Sequence, residues 1–345
     1  MSSRSVIVPP NTDFGSLLPK VPTFSTAECK KWCVLEAQPK PFFPLERVVE
    51  IPDDSQTVSL RICDSLRVRS VQAEFEGSQA NCKTSGFLSY VINLYAGPHG
   101  STIVEVMRQK GCGFAFRKER EAIITAAKGH GGDVPSKLPS IMKIPDDLLK
   151  QYQPPTKKDH EDTLDRASEQ LHSKRRDVLL FALQNLSAMT THDKVNQKSA
   201  QDLAHLIMTS PIDIRDTIAQ VLITCSHEDD STSEQILNAC LTIFSNSMTL
   251  LSNGDTLQST LDEEKMFTNT MIPSLVNIVS NLSCPHNACL ALLCLRLMLK
   301  NSIDARNKMT AEAHSIVKNA ELFGNQRHMK MAKEAKIALD ELKCQ

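Results

Sequence analysis

Cysteines and histidines are the side chains of this sequence best suited to chemistry, and two small groups of them stand out. Cys29 and Cys33 are four residues apart, a spacing that places both thiols on one face of a helix. Cys284, His286 and Cys289 form the second group. A structural zinc site needs four ligands, usually as two close pairs, and neither group has a second close pair. We therefore interpret these residues as helix-end or core residues and expect no metal site, the alternative being a site completed from distant sequence.

Cys112 lies between two glycines and close to several basic residues. Arg108, Lys110 and Arg117 would lower the pKa of its thiol if their side chains converge on it. A cysteine nucleophile also needs a general base, and the sequence indicates no nearby histidine. We therefore interpret this segment as a tight turn between a strand and a helix, with a reactive thiol as the alternative.

Short motifs of the common catalytic and phosphate-binding sites do not occur in the sequence. It contains no His-Glu-x-x-His, no Gly-x-Ser-x-Gly and no EF-hand loop. The glycine-rich segment 129–132 follows a predicted helix, whereas a phosphate-binding loop follows a strand and opens a helix. We expect no enzyme activity and no cofactor, and the alternative is a cryptic enzyme centred on Cys112 or on the group at 284–289.

Basic residues are densest where the last predicted strand of the N-terminal half gives way to a helix. They are Arg108, Lys110, Arg117, Lys118 and Arg120, called the basic patch below. This patch is the candidate site for an anionic partner, either an anionic lipid head group or an acidic peptide. Nucleic acid is not expected as a partner, because aromatic residues make up only 5% of the chain and the formal net charge is −1.

Residues 56–129 carry the pattern of a small α+β module. Val71, Ala73 and Phe75 alternate with polar residues, which indicates a half-buried strand. Two further apolar runs follow, separated by the turn signal Ala-Gly-Pro-His-Gly, and helical spacing begins at Phe116. We predict three antiparallel strands covered by a helix.

This half of the chain also resembles a known domain family. The run Tyr90–Tyr95, the strand-like segment that begins at Val104, and Phe114 and Phe116 ahead of a helix resemble the kinase-associated domain type 1. The resemblance implies a small sheet-and-helix fold and, by analogy, contact with acidic lipids or with a partner domain. No kinase sequence accompanies the module in these 345 residues.

Proline-rich segments flank the module on both sides. Residues 1–55 contain Pro9 and Pro10 and further prolines as far as Pro44, and we predict a flexible arm there. Residues 130–155 combine adjacent glycines with several prolines, which is typical of a mobile linker. The module is therefore predicted to sit on a flexible tether.

Composition is that of an ordinary globular protein, with 41% hydrophobic and 23% charged residues. The eleven cysteines lack the dense spacing of a secreted disulfide framework, and the first ten residues lack the apolar run of a signal peptide. The longest apolar run, residues 288–299, is too short to span a bilayer. We expect a cytoplasmic protein without a transmembrane segment, with the nucleus as the alternative compartment.

Residues 156–345 show helical spacing throughout, and their helices look related to one another. Aligning Leu183 with Leu241, Leu293 and Ala338 gives steps of 58, 52 and 45 residues. Repeats of about 40–47 residues define armadillo and HEAT arrays, so the longer steps need inserted loops. Loop signals that separate the predicted helices include residues 228–233, residues 253–255 and Pro273.

A resemblance to armadillo repeats follows from these segments. Residues 178–206 resemble the second and third helices of such a repeat, and Asn301, Arg306 and Asn307 resemble its polar turn. The expected fold is thus an α+β module followed by an all-α, armadillo-like α-solenoid. We predict a non-enzymatic interaction scaffold that binds a protein or peptide ligand on the helical array. The alternative is peripheral binding to an anionic membrane through the basic patch.

Overall fold

The computed structural model describes residues 32, 48–77, 79–130, 155–191, 197–209, 214–228, 230–252, 256–263 and 265–343. Most of the predicted arm, the predicted linker from residue 131 to 154, and both Cys29 and Cys33 lie outside the described residues.

The N-terminal module is a five-stranded antiparallel sheet with two helices packed against one face. Its strands lie in the order β1-β5-β4-β3-β2. In chain order the elements are β1 (Val48–Ile51), α1 (Ser55–Val68), β2 (Gln72–Glu76), β3 (Gln79–Lys83), β4 (Ser89–Ala96), β5 (Thr102–Lys110) and α2 (Gly113–Ala127). The predicted antiparallel sheet with a covering helix is therefore confirmed, with two strands and one helix more than expected.

The module begins earlier in the chain than the sequence predicts. β1 lies within residues 1–55, the segment predicted to be a flexible arm, and pairs with β5 from Val48 opposite Glu105. Trp32, from the same segment, is buried in the core of the module, with its ring centroid 5.4 Å from that of Phe75. Apolar residues between prolines have thus been drawn into the sheet core, because burial outweighs the local tendency of the prolines to break structure.

The C-terminal half is helical in every described element, as predicted. It contains α3 (Lys157–Leu171), α4 (Arg176–Met189), α5 (Gln197–Thr209), α6 (Ile214–Cys225), α7 (Ser231–Leu251), α8 (Thr256–Glu263), α9 (Lys265–Ser280), α10 (Pro285–Asn301), α11 (Ile303–Asn307), α12 (Ala311–Arg327) and α13 (Met329–Lys343). Pro273, expected to separate two helices, lies inside α9. No described helix is both long and apolar enough to cross a membrane.

Four helices, α4, α7, α10 and α13, pack side by side in that order and are called the central row below. The residues aligned in the sequence, Leu183, Leu241, Leu293 and Ala338, lie one in each of these helices. α5 and α6 pack against α7, α9 packs against α10, and α12 packs against α13. α9 also contacts α6 and α12, so these helices cover the row along one side. One large apolar core extends from Leu164 to Leu339, and Ala200, Ala204 and Leu250 form a small separate cluster.

The module packs directly against the helical half. α1 contacts α12 and α13, and Lys83 at the end of β3 forms an ion pair with Glu234 at the start of α7, with Nζ and Oε2 2.5 Å apart. Gln72 Nε2 donates to the carbonyl of Ser283, 2.9 Å away, just before α10. Ser70 Oγ accepts the main-chain N–H of Lys330 at 2.9 Å. These contacts fasten one corner of the sheet to the N-terminal ends of three helices of the central row.

Candidate functional site

The central helix α7 has one narrow face that remains accessible. From Ile236 to Leu251, every residue is buried except four that share this face. Together with one residue from the preceding turn, these form the polar strip: Gln235, Asn238, Thr242, Asn246 and Thr249. A helix buried on all other sides lies in the middle of a packed layer, and its single polar face is the side that the neighbouring helices leave open.

Polar side chains connect neighbouring helices across the central row. Asn246 Nδ2 of α7 lies 3.1 Å from Thr191 Oγ1, just beyond α4. Asn238 Nδ2 donates to Asn287 Oδ1 of α10 at 2.8 Å. Further along, Arg296 Nε of α10 lies 2.8 Å from Glu334 Oε2 of α13. These bonds hold amide and hydroxyl groups in fixed positions along the row.

The accessible faces of the helices beside α7 differ from the polar strip. On α10, the residues that are not fully buried also follow one face of the helix. They are Cys289, Leu290, Leu293, Arg296 and Lys300. On α4, Phe181 is 57% exposed and lies one turn before Asn185. The open side of the row thus combines hydrogen-bonding groups in its middle with apolar side chains on both flanks.

The structure places the predicted basic patch at the turn between β5 and α2. Arg108 and Lys110 end β5, while Arg117 and Lys118 lie in the second turn of α2, and all four are exposed. Arg120 is half-buried and has interactions of its own. Arg108 Nη1 donates to the carbonyl of Gly111 at 2.9 Å, so one patch residue also secures the turn.

The turn itself is tight, as predicted, and it exposes an aromatic ring. Gly111 has φ +107°, and a Cβ there would lie 2.8 Å from Leu88 Cα, so only glycine fits. Phe114 follows at the start of α2 and is 63% exposed, more than any other large hydrophobic residue described except Ile303. The sequence places Phe114 beside the patch but does not indicate that its ring points away from the core.

Cys112 is exposed at the position before α2. The main-chain N–H groups of Ala115 and Phe114 lower the pKa of its thiol, and Arg108 adds a smaller effect in the same direction. Helix N-termini favour a thiolate in this way. The position therefore combines a tight turn with a thiol that ionises more readily than usual.

The second cysteine–histidine group does not converge on a common point. Cys284 is half-buried, and His286 is bonded to the carbonyl of Lys83. Burial raises the pKa of Cys289 to about 12. Across the described residues, no group of three histidine, cysteine or acidic side chains is placed to hold a metal ion.

A polar crevice of about 410 Å³ opens at the N-terminal ends of α7 and α10. Its carboxylates are already paired within the chain, since Arg176 binds Glu228 and Asp230, and Lys83 binds Glu234. Each of these three carboxylates therefore has a basic partner within the chain. The crevice lies beside the contact between the module and the helical half.

Comparison with protein-family models, with curated proteins and with solved structures finds no significant match. The chemistry of the polar strip and of the basic patch is consequently the basis for assigning a role to these surfaces.

Proposed function

We propose that the protein is a non-enzymatic scaffold that binds an extended protein or peptide segment along the polar strip. The observation that carries this proposal is the burial pattern of α7, where the only accessible residues between 236 and 251 are Asn238, Thr242, Asn246 and Thr249. An asparagine side chain has two N–H donors and a carbonyl acceptor. It can therefore bind the N–H and C=O groups that an extended ligand chain offers, whatever the ligand's side chains.

The order of packing supports an armadillo-like interpretation of the helical half. The central row takes every third helix from α4 to α13, and the intervening helices cover one side. Stacked helical repeats of this kind leave a long open surface suited to extended partners. We therefore interpret the helical half as an α-solenoid with three helices per repeat.

Dimensions of the row set the length of the expected ligand. Packed helices lie about 8–10 Å apart, and an extended chain rises about 3.3 Å per residue. Successive helices of the row thus meet about every third residue of a ligand, and a ligand that crosses from α4 to α13 needs about nine residues. Exposed Phe181 and half-buried Leu293 supply apolar contacts on either side of the strip.

No bond-making or bond-breaking step is part of this proposal. Burial raises the pKa of Cys289 and Cys294 to about 12 and that of Cys240 well above its ordinary value. These thiols are therefore held in the unreactive protonated form, and their role is to fill the core.

Selection from a random library of nine-residue peptides against the full chain tests the scaffold proposal. We expect selected peptides to bind the wild-type chain and to bind Asn246→Ala about fivefold more weakly, the equivalent of one net hydrogen bond of about 1 kcal/mol. Gln201→Ala, an exposed amide on α5 away from the strip, is the matched control and should bind as the wild type does. Failure to select any peptide, or equal binding by Asn246→Ala, contradicts the proposal.

We also propose a second function, binding to anionic membranes through the basic patch, because Phe114 projects from the same turn. Four exposed basic residues near an exposed aromatic ring are suited to an anionic membrane, which has negatively charged head groups at its surface and apolar acyl chains beneath them. Each basic residue near such a surface contributes about 1 kcal/mol. Transfer of the apolar Phe114 ring out of water contributes further to the free energy of membrane binding.

Flotation with vesicles of phosphatidylcholine, with and without phosphatidylserine, tests the membrane proposal. We expect flotation only with the anionic lipid, a loss of binding as salt rises, and about tenfold weaker binding for Phe114→Ala. Lys110→Glu with Lys118→Glu should abolish binding, whereas Arg166→Glu, an exposed arginine on α3, is the control and should lower it little. Equal flotation on neutral vesicles rejects the charge mechanism and leaves the scaffold proposal intact.

A further inference from the structure

Two histidines link three elements where the module meets the helical half. His328 precedes α13 and is 2% exposed, and His286 lies in the first turn of α10 and is 7% exposed. His328 Nε2 lies 3.1 Å from His286 Nδ1, and His286 Nε2 lies 3.0 Å from the main-chain oxygen of Lys83 in β3. At the other end, His328 Nδ1 lies 3.2 Å from the main-chain N–H of Met331. The chain of contacts runs from α13 through α10 to the sheet.

The two ends of this chain determine where the protons lie. The carbonyl oxygen of Lys83 only accepts, so His286 Nε2 must carry a proton. The N–H of Met331 only donates, so His328 Nδ1 must be bare. The middle bond then forms with one arrangement alone, in which His328 Nε2–H donates to a bare His286 Nδ1. All three bonds are made when both rings are neutral and each carries its proton on Nε2.

An additional proton on either ring breaks one of these bonds. On His328 it would occupy Nδ1 and face the N–H of Met331, and on His286 it would occupy Nδ1 and face the N–H of His328. In both cases two donors point at each other in a buried site, which is unfavourable. We propose that His286 and His328 form an acid-sensitive latch, which holds the module against α10 and α13 when neutral and releases it when either ring is protonated.

Charged groups around the latch come from four elements. Lys83 of β3 and Lys330 of α13 disfavour a cationic ring, whereas Glu234 of α7 favours one but is paired with Lys83. Arg327 at the end of α12 directly precedes His328 and is stacked on Phe323, with its guanidinium carbon 5.2 Å from the ring centroid. The local charge is therefore more basic than acidic, which favours neutral histidines while the two halves are in contact.

The direction of the pH dependence follows from the lowered pKa of both rings. Burial is the largest cause for each histidine, and it lowers the pKa of His328 to about 3 from an ordinary value of 6.5. A released histidine takes up a proton at a higher pH than a latched one, so the contact is strongest above pH 6.5 and weakens as the pH falls toward 3. At pH 5, one such histidine raises the equilibrium constant for release by about 30-fold.

The other contacts between the halves include the packing of α1 on α12 and α13 and several polar bonds. The apolar cores of the module and of the helical half have no residue in common. The polar bonds that join the described parts of the halves include those of Arg67, Ser70, Gln72 and Lys83. Release exposes the corner of the sheet at β2 and β3 and the N-terminal ends of α7 and α10.

Hydrogen exchange on the full chain at pH 7.5 and pH 5.0, corrected for intrinsic exchange rates, tests the latch. We expect the fragments that contain β3 and residues 325–334 to lose protection by about 30-fold or more at pH 5.0, while the core of the helical half keeps its protection. Fluorescence of Trp32, buried in the module core, should stay unchanged and show that the module remains folded. Equal protection at both pH values, or a simultaneous change in Trp32 emission, overturns the proposal.

Variants without titratable rings separate the latch from general acid effects. Asn at position 328 can still accept the N–H of Met331, and Gln at position 286 can still donate to Lys83, so the double variant His286→Gln/His328→Asn should keep its protection at pH 5.0. His314→Asn, an exposed histidine of α12, should respond to pH as the wild type does. A double variant that still loses protection in acid overturns the proposal.

Nitrogen NMR of the histidine rings provides a second test that needs no variant. At pH 7.5 both rings should be neutral and carry the proton on Nε2. A cationic ring, or a proton on Nδ1 of either residue, contradicts the hydrogen-bond chain on which the latch depends.

Discussion

The module and the helical half bury their cores through different kinds of packing. In the module, β1 pairs with β5, and Val49 lies opposite Val104 from a segment more than fifty residues later. In the helical half, the central row repeats one arrangement from α4 to α13, with 45 to 58 residues between equivalent positions of neighbouring row helices. The module thus completes a single sheet with one added edge strand, whereas the helical half repeats one packing arrangement.

This difference determines how a local defect spreads. α7 and α10 lie between two neighbours of the row and are buried on nearly every side, so a cavity there affects several helices. The apolar cores of the two halves have no residue in common, so the contact between the halves should open without unfolding either half. Substitutions in the core, at a close helix contact, at the interface and at the surface should therefore have progressively smaller effects.

The largest effect is expected from Phe244→Ala in α7. Phe244 is fully buried in the core of the helical half, and truncation leaves a cavity between helices of the row. We expect a loss of about 3–5 kcal/mol in the free energy of unfolding, measured by urea denaturation followed by circular dichroism at 222 nm. Phe181→Ala, the same change at the exposed face of α4, is the control and should alter stability by less than about 0.5 kcal/mol. Similar losses for both variants would contradict the assignment of α7 to the centre of the row.

Gly324→Ala tests the close approach of α12 and α13. A Cβ at Gly324 would lie 2.5 Å from Ala332 N and 2.9 Å from its Cα, so main-chain atoms would have to move. Crowding of this kind destabilises by about 1–3 kcal/mol, and we expect that loss in thermal and urea unfolding. Gly86→Ala is the matched control in the module, because its Cβ would meet nothing closer than 3.9 Å. A neutral Gly324→Ala would show that these helices lie further apart.

Sequence patterns predict the helical half better than the module, for a physical reason. Helical periodicity is carried within each segment, and Leu183, Leu241, Leu293 and Ala338 do fall in the four equivalent helices. Pro273 is the exception, since it was expected to end a helix. It removes one main-chain donor, while the neighbouring Met271, Ile272 and Leu275 are buried and hold α9 in place.

Two strands of the sheet, β1 and β3, are less visible in the sequence. β3 has the polar sequence Gln-Ala-Asn-Cys-Lys and is recognisable only through its partners β2 and β4. β1 has four residues between prolines and becomes a strand because β5 offers it a free edge. α1 does carry a local signal in Asp54, whose side chain accepts the N–H groups of Gln56 and Thr57, ahead of apolar residues spaced by four.

The candidate sites also differ in how far the sequence predicts them. The basic patch is formed by residues close in the sequence, and four of its five members are indeed exposed together at one turn. The polar strip is also local, because Asn238, Thr242 and Asn246 recur at intervals of four in a helix whose other residues from 236 to 248 are apolar or serine. His286 and His328 are 42 residues apart on different helices, and no pattern within either segment indicates that they meet.

Lys83→Gln sharpens the contrast between the interface and the cores. The ion pair between Lys83 and Glu234 is partly shielded, with about a quarter of each side chain exposed. We expect its loss to reduce protection of β3 against hydrogen exchange, by no more than about 1 kcal/mol at low salt, and global unfolding to change little. Lys343→Gln, which removes a largely exposed pair with Asp340, is the control and should leave exchange in β3 unaltered. An effect of several kcal/mol on global unfolding would mean that the two halves unfold as one unit.

The smallest effect on stability, and the clearest on reactivity, is expected at Cys112. Its thiol is exposed and has a lowered pKa because of the N–H groups of Ala115 and Phe114, whereas burial raises the pKa of Cys289 and Cys294 to about 12. Since the thiolate is the nucleophile, labelling of the native chain with iodoacetamide at pH 7.5, mapped by mass spectrometry, should modify Cys112 before these two. Cys112→Ser should remove that fast modification and leave the unfolding midpoint unchanged, because the side chain contributes nothing to the core. Faster labelling of Cys294 would mean that the helical core opens more readily than the turn beside the basic patch, which is the reverse of the contrast drawn between the two regions.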